Sequence, residues 1–399
     1  MLKKYRLLAI VFSSFIGNIL FIGGCATVHD LSLAQGGQAS TIVKGPYLLY
    51  PGDNTEMTLL WQADSTISCQ LSWGLDTTYS AGSTLSFEYG TDHQHRYTFT
   101  GLAPGQKYYY RLAAGQSAYT GSFRTAPPAD ATSVEFFAYG DTRTNPDKQD
   151  MVCSGIISAY AAEPISQTLI LHVGDWVSHD SENAWASEFF DRTYSSNITM
   201  QANLPIQGCM GNHEGNGTIY AKYWTYPYLA KYYWSFDYGP AHIAIVDQYA
   251  NYSAGSAQLT WLESDLASST KKWKFILLHE PGWSAGSFRG NNKEVQADIQ
   301  PLCEKYGVQI VFAGHNHYYS RAVVNGVQHL AIGTGGAPAH TPKPSQPNVI
   351  STYKGLGYCK IKISSNTLNF EMLSSPSNTV IDSFTTVLPQ KINDSEPRA

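Results

Sequence analysis

Five short motifs hold the side chains that could do chemistry. They are Gly140-Asp141-Thr142-Arg143, Gly174-Asp175-Trp176, Gly211-Asn212-His213-Glu214, His279-Glu280-Pro281 and Gly314-His315-Asn316-His317. Their donors are carboxylate and amide oxygens and imidazole nitrogens, a set that suits Mn, Zn or Fe. A lone Gly-Asp is an ordinary turn. Five such motifs in this order can hold two divalent cations side by side. A cation pair acts by neutralising anionic oxygens and by lowering the pKa of a water held between the ions.

Such donors matter only if the fold gathers them. Short apolar runs precede them: Phe136-Phe137-Ala138-Tyr139, Thr168-Leu169-Ile170-Leu171-His172-Val173, Phe275-Ile276-Leu277-Leu278 and Gln309-Ile310-Val311-Phe312. These read as buried strands with ligands at their C-terminal ends, where open α/β sheets put their sites. Helices are predicted over 149–162, 184–193, 257–268 and 293–306. Gly239-Pro240 predicts a hairpin turn within 232–246, and 357–363 with 367–373 predict another hairpin.

Upstream the pattern changes. Residues 57–61, 68–73, 95–99 and 107–112 alternate as strands, punctuated by Pro51-Gly52, Gly74, Pro104-Gly105 and Gly115. They predict a small all-β sandwich over 43–126, ended by Pro127-Pro128-Ala129-Asp130. The stretch 101–111 is similar to the loop and strand of fibronectin type III-like modules. The α/β region runs over 132–388, and 389–399 is expected to be a disordered tail.

The start of the chain reads as a signal peptide, residues 1–25. Lys3, Lys4 and Arg6 precede an apolar stretch that ends Gly23-Gly24-Cys25. Small residues before a Cys resemble the lipobox of bacterial lipoproteins; the alternative is ordinary cleavage nearby, for example after Ala34. Lipidated Cys25 would anchor an exported protein to a membrane, with 26–42 as a flexible tether. With Ala26 next, the resemblance implies the outer membrane, periplasm or cell surface if the cell is Gram-negative.

The motifs resemble those of the calcineurin-like metallophosphoesterases, and the chain is most similar to their purple acid phosphatase-like branch. Residues 258–266, 332–338 and the opening Lys44-Gly45-Pro46-Tyr47-Leu48 add to the likeness. The resemblance implies a four-layer α/β/β/α sandwich behind the small β-domain. It implies hydrolysis of phosphate mono- or diesters by a hydroxide bridging two divalent ions. Asp141, Asp175 and His317 would hold the first ion; Asp175, Asn212, His279 and His315 would hold the second. His213 would face the leaving-group oxygen, or else orient Asn212.

Two positions depart from the family pattern. Arg143 stands where the common Asp-x-His motif has its His, and Ser178 where the purple enzymes have their Tyr. A guanidinium has no lone pair for a metal. Arg143 is therefore read as a clamp on the substrate phosphate, the alternative being a partner for a structural carboxylate. His179, Asn145 and Asp150 are the nearby candidates for the missing ligand.

Charged residues make up only 14% of the 399 and the net charge is −5, so no basic stripe invites nucleic acid. Cys69, Cys153, Cys209, Cys303 and Cys359 show no zinc or redox spacing and read as buried thiols. The aromatic run 220–236 reads as packing near the cleft rim, with base or sugar stacking as the alternative. The rival to a hydrolase is a surface-anchored binding protein with a degenerate site.

Overall fold

The computed structural model describes residues 42–389, except 227–230 and 287–288. The leader, Cys25, nearly all of the tether and residues 390–399 lie outside the described residues. Ile42, which the sequence assigns to the tether, is buried in the first strand.

The β-domain is a sandwich. One sheet orders Ile42–Leu49, Met57–Ala63, Gln94–Phe99 and Glu88–Tyr89; the other orders Gly82–Ser86, Cys69–Gly74, Lys107–Ala114 and Ser117–Arg124. Period-two alternation makes strand Lys107–Ala114 one-sided, whereas Met57–Ala63 is buried on both faces. In Lys107–Ala114, Tyr108, Tyr110, Leu112 and Ala114 are buried, while Arg111 is exposed. They pack with Trp61, Leu71, Phe99 and Phe123. Each such side chain contributes about 1.5–3 kcal/mol of burial.

The sandwich and the α/β region share a core. Tyr47, Leu49, Tyr50 and Leu60 pack in one cluster with Trp176, Phe190 and Trp224. Tyr110 Oη donates to the Ala202 carbonyl at 2.8 Å, and Asn203 Oδ1 accepts from both Ser122 N and Oγ at 2.9 Å.

The α/β region stacks two mixed sheets. The first runs Ile206–Gly208, Ile170–His172, Ser133–Tyr139, Gly357–Ser364, Thr367–Ser374, Val380–Val387. The second runs Trp234–Tyr238, Ala241–Ile245, Trp273–Leu277, Ile310–Ala313, Val327–Ile332, Tyr319–Val324, Val349–Tyr353. The ligand-bearing strands are parallel neighbours, with Ile206–Gly208 at the edge of the first sheet. Strands covered on both faces are apolar throughout, which is why they read as unbroken runs. Phe136 from one sheet meets Phe275 from the other, ring centroids 5.9 Å apart. Helix Ala257–Ser268 covers the second sheet with Leu262 and Leu266 against Ile276 and Val311. Helix Pro146–Ala162 covers the first with Val152, Cys153 and Ile156.

One predicted helix changes and one unpredicted helix appears. The segment predicted over 184–193 is a short turn that widens across Trp185–Phe189, with Phe190 N reaching the Trp185 carbonyl at 2.9 Å. The widening lets Trp185, Phe189 and Phe190 all reach the core. Helix Ser195–Asn203 has no apolar stripe to announce it. Its buried face is partly amide: Asn197 Nδ2 and Gln201 Nε2 both donate to the Phe189 carbonyl, at 2.7 and 2.8 Å. The five described cysteines are buried and unbridged. Among the described residues no helix is long and apolar enough to cross a membrane.

Candidate metal centre

Three ligand positions sit in turns directly beyond strands, in left-handed backbone: Asp141 at φ 56°, Asp175 at φ 54° and His315 at φ 64°. For residues other than Gly this conformation costs about 1–3 kcal/mol each, and it persists only where the surroundings enforce it. The glycine beside each turn is there for space. A Cβ at Gly211 would collide with Asp175 Oδ1, and one at Gly314 with Asp141 Oδ2.

Side-chain acceptors hold these loops. Glu214, fully buried, takes the backbone N–H of Asp175 at 3.1 Å, Trp176 at 2.8 Å and Gly211 at 2.5 Å. Gln248 Oε1 takes those of His279 at 2.8 Å and Glu280 at 2.5 Å. Asp141 accepts the His315 N–H at 3.0 and 3.1 Å.

The loops bring four acceptor atoms to one point. His279 Nε2 stands 3.2 Å from Asp175 Oδ1, 3.3 Å from Asn212 Oδ1 and 3.3 Å from His315 Nδ1. His315 Nδ1 stands 2.9 Å from Asn212 Oδ1. Donors bound to one ion at about 2.1 Å are spaced about 3.0–3.4 Å apart at octahedral or tetrahedral angles. His279 Nδ1 donates to the Val173 carbonyl at 2.7 Å, so the neutral ring offers the Nε2 lone pair to the group. These residues fit a divalent cation.

The electrostatics agree. Without an ion, burial opposes charge on His279, yet Asp175 pulls its pKa up to about 10. Burial also opposes charge on Asp175, but His279, His213 and Arg143 hold it well below the carboxylate range. His315 is pushed down to about 2 by burial, His279 and Arg289, and so stays neutral. The pocket calls for positive charge at its centre.

A second cluster adjoins the first. Asp141, Asp175 and His317 bring ligand atoms within 4.8 Å of one another, all buried. Burial pushes the Asp141 carboxyl up to about 7. His317 Nδ1 donates to the Pro338 carbonyl at 2.8 Å and turns Nε2 inward, 3.4 Å from Asp141 Oδ1. Six motif residues thus meet in one place, as the strand-end reading expects.

Known proteins carry the same plan. A sequence profile of the calcineurin-like phosphoesterases matches residues 154–319, and one of the purple acid phosphatase N-terminal domain matches 43–125. Probable purple acid phosphatase 20 of Arabidopsis thaliana is 23% identical over 360 residues, 80% of this chain and 79% of that one. Purple acid phosphatase 18 of the same plant is 30% identical over 157 residues, 33% of this chain; the match spans only 36% of that protein's own length. The structure of a purple acid phosphatase from yellow lupin (Lupinus luteus) seeds shares the fold, with a TM-score of 0.69 at 19% identity, covering 86% of this chain and 74% of that one. The chain carries a calcineurin-like phosphoesterase domain behind a purple acid phosphatase N-terminal domain, and these relatives and structural neighbours are purple acid phosphatases.

In this phosphoesterase the two departures from the family pattern have visible geometry. Arg143 Nε donates to Asp175 Oδ2 at 3.1 Å and Nη2 to His317 Nε2 at 3.3 Å, so the guanidinium lies inside the second cluster. Ser178 turns its hydroxyl to Glu188, which also accepts the Ser178 N–H at 2.8 Å. His213 points Nε2 to within 3.8 Å of Asp175 Oδ2 and fixes its ring by donating Nδ1–H to the Ser178 carbonyl at 2.7 Å.

The structure brings none of the three substitute ligands in. His179 is exposed and bonds to Ser178 Oγ at 2.8 Å. Asn145 Nδ2 donates to the Gly336 carbonyl, and Asp150 Oδ1 accepts the Asn197 N–H, each at 2.8 Å. The aromatic run is mainly core, as Tyr220, Tyr223, Trp224, Tyr226, Trp234 and Phe236 are buried. Sequence reasoning missed Gln248, Arg289 and His340. Arg289 Nη1 lies 3.1 Å from His315 Nε2, and His340 stacks on His317 with centroids 4.0 Å apart. None of the three lies in a recognisable motif.

Proposed function

We propose that the chain hydrolyses phosphate mono- or diesters at this centre, outside the cytoplasm, anchored by lipidated Cys25 and reaching substrate from the membrane surface. The observation that carries the catalytic part is the convergence of Asp175 Oδ1, Asn212 Oδ1, His279 Nε2 and His315 Nδ1 at 2.9–3.3 Å. The leader's charge pattern and the Gly24-Cys25 step support the location.

A divalent cation held there supplies Lewis acidity to the phosphoryl oxygens and lowers the pKa of water. The protein does the rest. Arg143 brings fixed positive charge, and its side chain, 13% exposed, would meet a phosphate entering beside Asp175. His213, 23% exposed, keeps Nδ1–H on the Ser178 carbonyl and presents Nε2 to exchange a proton with the leaving oxygen. Glu214 and Gln248 keep the loops from relaxing when charge builds on the phosphoryl group.

Purified protein with Mn²⁺ should turn over a chromogenic phosphomonoester or phosphodiester, and EDTA should stop it. Full metal loading with no hydrolysis of either substrate class would favour the binding-protein reading.

A further inference from the structure

We propose that Arg143 stands in for the first cation, so that the centre holds one divalent ion, bounded by Asp175, Asn212, His279 and His315. The inference rests on reading that quartet as a cation site.

Arg143 meets the residues that would otherwise hold the first ion. Its Nε–H donates a hydrogen bond to Asp175 Oδ2 at 3.1 Å and its Nη2–H one to His317 Nε2 at 3.3 Å. The His317 proton is committed to the Pro338 carbonyl at 2.8 Å, so Nε2 has one lone pair, and the guanidinium takes it. Asp175 keeps its bridging place in altered form. Oδ1 faces the quartet, 3.2 Å from His279 Nε2, while Oδ2 faces the guanidinium.

The arginine is built in. Its Nη1 donates to Thr144 Oγ1 at 3.2 Å, and the Thr144 N–H is held by Glu188 at 2.6 Å. The same Glu188 holds Ser178, so one carboxylate ties down both departures from the family pattern. The nearby side chains with ligand chemistry are engaged elsewhere: His179 with Ser178, Asn145 with Gly336, Asp150 with Asn197.

Charge gives the same answer. Asp141 and Asp175 are two carboxylates at 0% and 1% exposure, and buried carboxylates need positive charge beside them. A guanidinium provides it without exchange and does not lose its proton. A dication brought among Asp141, Asp175 and His317 would meet that guanidinium at contact distance, where like charges repel strongly.

The test counts ions. Full-length protein is saturated with Mn²⁺, desalted and measured by inductively coupled plasma mass spectrometry, with electron paramagnetic resonance alongside. The expected result is one equivalent with the six-line signal of an isolated Mn²⁺. Arg143→His, which restores the family's Asp-x-His pattern, should gain a second equivalent and a spin-coupled signal. His317→Ala should keep its one equivalent, and this arm holds even if Arg143→His does not fold. Two equivalents in the wild-type protein, or loss of one in His317→Ala, overturns the proposal and leaves the phosphoesterase reading standing. No bound metal at all overturns both.

Discussion

The carboxylate of Glu214 accepts the backbone N–H of Asp175 at 3.1 Å and that of Gly211 at 2.5 Å, and so joins the loops of the second and third motifs through one buried group. Burial pushes its pKa up to about 8, yet its partners are backbone N–H donors, which an amide could match only in part. Glu214→Gln turns an NH₂ toward those N–H groups. Metal affinity should fall roughly 10–100-fold, the usual cost of removing a ligand's support. Titration of the apo protein with Mn²⁺ measures it. Unchanged affinity would remove the clamp from the account.

Asp175→Ala and His315→Ala should each abolish hydrolysis and lower bound metal. Asp175 touches both clusters, through Oδ1 to His279 and Oδ2 to Arg143, so its loss should also loosen Arg143. Metal content and circular dichroism on the same samples separate site loss from unfolding. Wild-type metal content in Asp175→Ala would refute its place in the centre.

His242 gives a pH prediction away from the centre. It donates to Asp237 and Asp265, each at 2.8 Å, and ties the hairpin strand Ala241–Ile245 to helix Ala257–Ser268. Burial disfavours its charge, but the two carboxylates outweigh burial and raise its pKa to about 9. The unfolded value is about 6.5. The added stability is therefore fully present below about pH 6.5 and is lost as pH rises through about 9. Asp237 is half exposed and screened, so most of the effect comes from Asp265. His242→Gln should cost about 1–2 kcal/mol at about pH 6 and much less at about pH 10, read from urea midpoints. An equal cost at both pH values would exclude the charged pair.

Tyr110→Phe tests whether the two domains melt as one. It removes the hydroxyl that donates to the Ala202 carbonyl at 2.8 Å and changes little else. A loss of about 1 kcal/mol is expected. Because Tyr47 and Leu60 share a core with Trp224, the transition should stay single. Separate transitions for the sandwich and the α/β region would contradict that shared core.

The purified protein should be colourless with iron as with Mn²⁺. The purple colour of the family resemblance requires a Tyr phenolate, and Ser178 stands at that position with its hydroxyl on Glu188. An intense visible band assigned to iron–phenolate would mean that another Tyr reaches the ion.

Much of the fold was legible in the sequence because the parallel strands are buried on both faces. Unbroken apolar runs such as Phe275-Ile276-Leu277-Leu278 end where ligands begin, and the helix predicted over 257–268 is Ala257–Ser268, where the structure shows Ser256 capping the start by accepting the Leu259 N–H at 3.1 Å. Helix Ser195–Asn203 was hidden because Asn197 and Gln201 face the core in place of aliphatic residues. Strand Ile42–Leu49 was hidden behind Gly45-Pro46. In the site, ligand types could be read but supports could not. Gln248 looks like any surface amide until the fold sets it beneath His279. The direction of Arg143 was likewise invisible, since both a phosphate and a carboxylate suit a guanidinium.

The left-handed turns at Asp141, Asp175 and His315 set heat tolerance against metal capture at the same three Cα atoms. Glycine adopts that backbone without strain, so a chain tuned only to resist melting would gain from glycine at each position. This one carries its ligand side chains there. Thermostabilising substitutions are therefore best sought in the sandwich or on the outer helices, because those that relax these turns would remove the ligands themselves.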